Sequence, residues 1–359
     1  MTIPRLQITA ADPHARGLEL GTSLRERIGA TWAGYERLFM ASGAAPSLQR
    51  SVGERSLERA REWAPPLAAE IDGIAAGAGL ERWQAGALNA RTEVLAAAGA
   101  VTVGECSTFV IVPPAEGGPP RTIQTWDWYE HLRDAMLLVE LGPRPGHTVR
   151  LFTEAGIVGK VGVNGAGLGL HFNILHHAAD GGEPGVPVHV VARRVLDDAA
   201  SVEEATELAR SAPVSASTVL TVVAWDGERA SARCLELSPA GLGVLDPDAA
   251  GVLLHTNHFL DPALARGEQP TDFDSTTRGR LESLAQRIGA LRAATGADAR
   301  ATALVDHESG ICCHAGDDPP PDQRSATLAT ISLDVAAGHV HAHPGGPCAV
   351  TGDGAWERL

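Results

Sequence analysis

Gly104-Glu105-Cys106-Ser107-Thr108-Phe109 marks a change of style, from a chain rich in Ala, Glu and Arg to one rich in Gly, Val and His. The apolar run over 110–113 and the turn residues Gly117, Gly118, Pro119 and Pro120 predict a hairpin strand that opens at Cys106. A single cysteine is most often a small core hydrophobe, so its meaning depends on what the rest of the chain brings beside it.

Working upstream, residues 14–42 hold Leu18, Leu20, Leu24, Ile28, Trp32, Tyr35, Leu38 and Phe39 at spacings near three and four, the helical period. Segments 54–63, 66–76 and 81–98 repeat that style, with Pro65-Pro66 and Gly77-Ala78-Gly79 as punctuation. The first third is therefore expected to be helical. Downstream, strands are expected over 108–112, 121–126, 136–141, 148–153 and 158–172, then helices over 186–196 and 202–212. Strands return over 218–225, 231–237, 241–245 and 252–255, followed by an amphipathic helix over 275–294 and a strand pair over 327–334 and 339–342. This order suits a layered antiparallel α+β domain and not the alternation of a parallel Rossmann sheet.

A chain of 359 residues builds a sizeable core as one large domain or two ordinary ones. It is 44% hydrophobic and 20% charged, the balance of a soluble globular protein. No apolar run reaches the roughly 18 residues a membrane span needs. Met1-Thr2-Ile3-Pro4-Arg5-Leu6 lacks the apolar stretch of a secretory signal, so a cytoplasmic location is expected. Five cysteines, an odd number with Cys312 and Cys313 adjacent, read as reduced thiols and not as a disulfide framework. The net charge of −15 argues against nucleic acid or an anionic membrane as partner and favours a small neutral or cationic ligand.

Four stretches carry chemistry. In Gln124-Thr125-Trp126-Asp127-Trp128, hairpin pairing would fold Asp127 back beside Cys106, where a carboxylate holds an ammonium or orients a base; capping a turn is the plainer alternative. The glycine-dense run from Thr153-Glu154-Ala155-Gly156 to His171-Phe172-Asn173 suggests strands closely approached by a backbone or a ligand. It is not a phosphate loop, because Lys160 is misplaced for one. Asn164 suits the turn, and Asn173 is the better polar site residue. Asn257, in Thr256-Asn257-His258, ends an apolar strand where its amide N–H could face a developing oxyanion. In Ser275-Thr276-Thr277-Arg278, Ser275 is a plausible N-cap, and Arg278 either faces a site or pairs with Glu282 on the surface. A rival set, Cys312, Cys313, His314, His339, His341, His343 and Cys348, has zinc-type ligands without zinc-type spacing, and no metal is assigned to it.

In register, Glu105-Cys106-Ser107-Thr108, Gln124-Thr125-Trp126-Asp127-Trp128, Gly156-Ile157-Val158-Gly159-Lys160-Val161-Gly162-Val163-Asn164, Thr256-Asn257-His258 and Ser275-Thr276-Thr277-Arg278 resemble the isopenicillin N acyltransferase (acyl-CoA:6-aminopenicillanate acyltransferase) family. That family belongs to the N-terminal-nucleophile (Ntn) cysteine hydrolases, with carcinine and β-alanyl-amine hydrolases, penicillin V acylase and bile-salt hydrolase as relatives. The resemblance implies an αββα sandwich with two antiparallel sheets, made as a precursor: a helical segment 1–105 and a segment 106–359 that together form one Ntn domain. It implies autoproteolysis between Glu105 and Cys106, leaving an α/β heterodimer, with higher oligomers possible.

By the same resemblance Cys106 would be the nucleophile, Asp127 would hold its α-amino group, Asn257 and Asn173 would face the oxyanion, and Arg278 would stand near the nucleophile. Thr108, Trp126 and His258 would line the substrate or oxyanion region. Glu105 stands where the acyltransferase itself has Gly, and Gln124 where the bile-salt hydrolase branch has Arg. No cofactor is implied; the substrate would be a small N-acyl amide, with an amine or an acyl-CoA as a further reactant. The sequence leaves two other readings, a metal-dependent hydrolase using the C-terminal Cys/His set and an inert binding protein of the same fold.

Overall fold

Asp12 accepts the backbone N–H of Ala15 at 2.9 Å and Pro13 takes the first helical position, so helix α1 (Pro13–Ser23) begins where local chemistry favours a start. A computed structural model describes residues 2–100, 106–114, 117–269, 276–316, 320, 323–350 and 356–359 of the chain. Glu105, Gly104 and Ser275 lie outside the described residues. The expected helix over 14–42 is divided at Leu24 into α1 and α2 (Arg25–Ala41), and α3 (Pro46–Trp63), α4 (Pro65–Ala78), α5 (Arg82–Asn89) and α6 (Arg91–Ala97) follow. Gly77, read as punctuation, lies inside α4 instead. A Cβ on Gly17 of α1 would come within 1.9 Å of the Glu70 carbonyl oxygen, and one on Gly73 of α4 within 2.2 Å of the His14 carbonyl oxygen. The two helices therefore touch backbone to backbone, a contact only glycine permits.

The strands are β1 (Arg5–Gln7), β2 (Ser107–Ile111), β3 (Arg121–Tyr129), β4 (Met136–Arg144), β5 (His147–Glu154), β6 (Val161–Asn164) and β7 (Leu168–Ile174). After helices α7 (Val188–Asp198) and α8 (Val202–Ser211) come β8 (Thr218–Trp225), β9 (Ala230–Ser238), β10 (Gly241–Leu245) and β11 (Val252–His255). Helices α9 (Thr277–Gln286), α10 (Ile288–Ala293) and α11 (Ala297–Ala303) precede β12 (Ser325–Asp334), β13 (His339–Pro344) and β14 (Glu357–Arg358). One sheet has the order β1-β4-β5-β6-β7-β8-β9-β10, the other β11-β2-β3-β12-β13-β14.

All these pairings are antiparallel except β1 with β4, which is parallel and sets Arg5 against Leu138. The first third is thus not purely helical, because it lends a strand to the larger sheet. Helices α7 and α8 cover the outer face of that sheet, α9 and α11 pack on the other sheet, and the sheets face each other through β2 with β7 and β13 with β5. The architecture is the α+β four-layer αββα sandwich. A second core of Phe109, Ile111, Ile123, Leu284, Leu291 and Leu304 fills the layer beneath α9–α11.

Period-2 alternation decides what enters the gap between the sheets. On β7, Phe172 stacks on His189 of α7 with ring centroids 4.8 Å apart, so His171 and Asn173 point the other way, toward the facing sheet. There they meet Thr108 of β2 and Gln124 of β3, paired to each other in the hairpin register. The glycine-dense run admits a backbone: a Cβ on Gly159 would meet the α7 backbone at 2.8 Å. Asn164 closes its turn by accepting from Ala166 and Leu168 and donating to Leu196 and Ala199.

Candidate active site

Cys106 stands one residue before β2 and is 3% exposed. Its carbonyl oxygen accepts from Arg280 Nη1 at 2.7 Å and from Asn173 Nδ2 at 3.1 Å. The β2–β3 register sets Ser107 opposite Thr125, which carries Asp127 past the strand end to the thiol. Burial, and then the Asp127 carboxylate, push that thiol up to about 11, against the pull of the Asp127 backbone N–H, Lys160 and Arg280. In the continuous chain the sulfur is therefore protonated at neutral pH.

Behind the cysteine lies a polar hub. Asn173 Oδ1 accepts from Thr108 Oγ1 at 2.8 Å and from Gln124 Nε2 at 3.0 Å, and Gln124 Nε2 also reaches the Phe172 carbonyl at 2.9 Å. His171 Nδ1 lies 3.2 Å from Gln124 Oε1, and burial alone holds the imidazole down at about 3, hence neutral. A neutral amide at 124 suits these surroundings; an arginine there would bring a charge into a buried set of amide, hydroxyl and imidazole.

On the other side, Arg280 reaches from α9 to Ser107 Oγ (3.0 Å) and Asn257 Oδ1 (3.1 Å), with its Nε on Thr276 Oγ1 (2.9 Å). Asn257 is further fixed by donating Nδ2 to the Ile174 carbonyl at 2.9 Å and its backbone N–H to Thr277 Oγ1 at 2.8 Å. His258 Nδ1 lies 2.9 Å from that same hydroxyl; burial, and then the nearby cations, lower it to about 4, so it acts as a neutral brace.

The arginine that reaches Cys106 is Arg280 and not the expected Arg278. Arg278 is 68% exposed and pairs with Glu268 at 2.9 Å, whereas Arg280 is fully buried against Cys106. A helix turns about 100° per residue, so two steps along α9 reverse the direction of the side chain.

A third group was not foreseen from sequence. Lys160 Nζ sits 3.3 Å from the centroid of the Trp126 ring and 2.8 Å from Glu154 Oε2. Glu154 also takes Tyr35 Oη and, at 3.3 Å, Arg91, whose guanidinium lies 4.4 Å over Trp128. Burial lowers Lys160 to about 7, against Glu154 and Cys106, which favour its charged form. Burial would raise Glu154, but Arg91 and Lys160 hold it well below the usual carboxylate range. The overlooked signal is in the sequence: Lys160 is its only lysine, while every other basic side chain of that class is arginine.

A separate cluster gathers one ligand atom each from His307, Cys312, His314 and Cys348, all within 4.8 Å of one another. It keeps three of the seven C-terminal Cys/His residues and adds His307. Cys313, His339, His341 and His343 do not belong to it, and neither do Cys106 or Asp127.

Residues 115–347 match the family model described as acyl-coenzyme A:6-aminopenicillanic acid acyl-transferase, well over half of the chain. The chain belongs to that family. Within this acyl-transferase family, the 40 kDa form of acyl-coenzyme A:6-aminopenicillanic-acid-acyltransferase from Emericella nidulans is 32% identical over 238 residues, covering 64% of this chain and 63% of that protein. The chain thus spans less than two thirds of that relative's length. Penicillin V acylase from Agrobacterium tumefaciens gives a TM-score of 0.39 at 17% identity, over 68% of this chain and 84% of that one. The acyl-transferase match includes Asp127, Lys160, Asn173, Asn257 and Arg280; Cys106 and Thr108 precede its first residue.

Proposed function

We propose that the chain is a self-processing amidohydrolase or acyltransferase that carries the acyl group of a small N-acyl amide as a thioester on Cys106. The observation that carries this reading is the convergence on Cys106 of Asp127 at its thiol and of Arg280 and Asn173 at its carbonyl. Cys106 Sγ attacks the carbonyl carbon of Glu105, the C–N bond breaks, and the acyl group moves to sulfur while the α-amino group of Cys106 is freed. Water then hydrolyses that thioester and leaves segments 1–105 and 106–359 as the two subunits of a heterodimer.

The freed α-amine, with an ordinary pKa near ~8, takes the thiol proton and acts as general base. Asp127 holds the resulting ammonium, and the ammonium of Lys160 favours the thiolate. On substrate, the thiolate attacks the acyl carbon, the amine leaves with the proton from the α-ammonium, and water or a second amine discharges the thioester. An acyl-CoA would load the same sulfur. The two hydrogens of Asn257 Nδ2 allow it to hold Ile174 with one and donate to the oxyanion with the other. Such a donor is worth about 10²–10³ in rate. The strongly negative net charge suits a small neutral or cationic substrate and not nucleic acid or an anionic membrane surface.

The test is mass spectrometry of the Cys106-bearing chain during turnover of a panel of N-acyl amides. An acyl increment on that chain, discharged by hydroxylamine and absent from Cys106→Ala, is expected. Turnover that persists in Cys106→Ala would overturn the reading.

A further inference from the structure

We infer that His307, Cys312, His314 and Cys348 form a tetrahedral site for a zinc-class divalent cation, which fastens the segment before β12 to the turn after β13. This goes beyond the acyl-transfer reading and does not depend on it.

The distances fit the ion. Zinc bonds of about 2.3 Å to sulfur and about 2.0 Å to nitrogen require neighbouring ligand atoms about 3.3–3.8 Å apart in a tetrahedron. Cys348 Sγ lies 3.3 Å and Cys312 Sγ 3.7 Å from His314 Nε2. The His307 and His314 rings meet edge to face with centroids 5.0 Å apart. Two thiolates balance the charge of a dication, and two thiols with two imidazoles select zinc over magnesium or calcium, which take oxygen ligands. Loading releases the two thiol protons to solvent.

The backbone holds the ligands together in advance. Asp306 accepts the Cys312 N–H on its carbonyl at 2.9 Å, while its carboxylate takes the N–H groups of Glu308 and Ser309 at 3.1 Å each and pairs with Arg287 at 2.9 Å. That closed loop brings His307 round to Cys312. Cys313, between two ligands, is pinned to β12 through Thr327, which donates its N–H to the Cys313 carbonyl at 3.0 Å and accepts the Cys313 N–H at 2.9 Å. Gly346 precedes the 3₁₀ turn Pro347–Ala349 that presents Cys348, and a Cβ there would stand 2.8 Å from Cys312 Sγ. His307, His314 and Cys348 are exposed, so the ion enters directly from solvent.

The experiment uses the full chain, stripped with chelator and reloaded with zinc chloride or cobalt(II) chloride. We expect one metal ion per chain, two protons released per ion, and a cobalt spectrum with tetrahedral visible bands and a thiolate charge-transfer band. Cys348→Ser and His314→Ala remove exposed side chains without disturbing the core. Each should weaken binding by more than the roughly 100-fold that loss of an outer-shell partner costs at most. Cys313→Ser and Cys106→Ala should keep full occupancy. Failure of the wild-type protein to retain the metal, equal loss from Cys313→Ser, or a Cys312–Cys348 disulfide that zinc does not suppress would overturn the site.

Discussion

Lys160 and Arg280 approach Cys106 from opposite layers, one from the larger sheet across the Trp126 ring and the other from α9. Arg280 is a fork that reaches the neutral acceptors Cys106 O, Ser107 Oγ, Asn257 Oδ1 and Thr276 Oγ1, a geometry the single ammonium of lysine does not reproduce. Arg280→Lys should therefore lower kcat about 100-fold, the scale of one lost oxyanion-site contact. Arg278→Ala, which removes only an exposed pair worth about 0–1 kcal/mol, should leave kcat and the melting temperature nearly unchanged. Equal losses from both variants would show that α9 does not turn Arg280 alone toward Cys106. Lys160→Met should slow both self-cleavage and turnover, measured as the rate of chain separation on denaturing gels and as product release. A variant that processes and turns over at the wild-type rate would remove the lysine from the chemistry.

At the scale of elements, β7 and β3 are joined through His171 and Gln124, and that contact carries a pH signature. His171 is held at about 3 by burial, against an ordinary 6.5. Above about pH 6.5 the imidazole is neutral whether folded or not, and it contributes no slope. As pH falls toward about 3, the unfolded chain binds a proton that the fold refuses, so stability declines by at most about 1.4 kcal/mol per pH unit and then levels off. Urea melts of His171→Gln and the wild type should diverge through that window and run parallel above it; parallel curves throughout would mean that the imidazole is charged when folded. The strands were legible from sequence because alternation and Gly/Pro boundaries are local, and the hairpin register alone brings Asp127 to Cys106. What escaped was phase and distance. Residue type suggested an arginine at the start of α9, but only the helix phase selects 280 over 278. Nothing near Lys160 announces Tyr35 or Arg91, whose pairing with Glu154 is set by the packing of α2 and α6 against the sheet.

Across the whole molecule, the boundary at residues 105 and 106 is bridged by buried contacts that do not need the peptide bond. Arg16 and Glu70 meet at 2.7 Å, and Glu70 takes Arg193 of α7 at 2.9 Å; Tyr35 and Arg91 hold Glu154; β1 pairs with β4. Wild-type protein cut at this point should therefore elute as one particle in native buffer and separate only in denaturant. Arg91→Met removes one partner of a buried charge and should cost about 3–5 kcal/mol in the urea midpoint; a loss below about 1 kcal/mol would mean that the segments are held by apolar packing alone. By the proposed self-cleavage, Cys106 becomes the first residue of its own chain. Intact-mass measurement of the purified protein decides this. Two wild-type polypeptides meeting between 105 and 106, and one continuous Cys106→Ala chain, are predicted; a single uncut wild-type chain that turns over substrate would contradict the account.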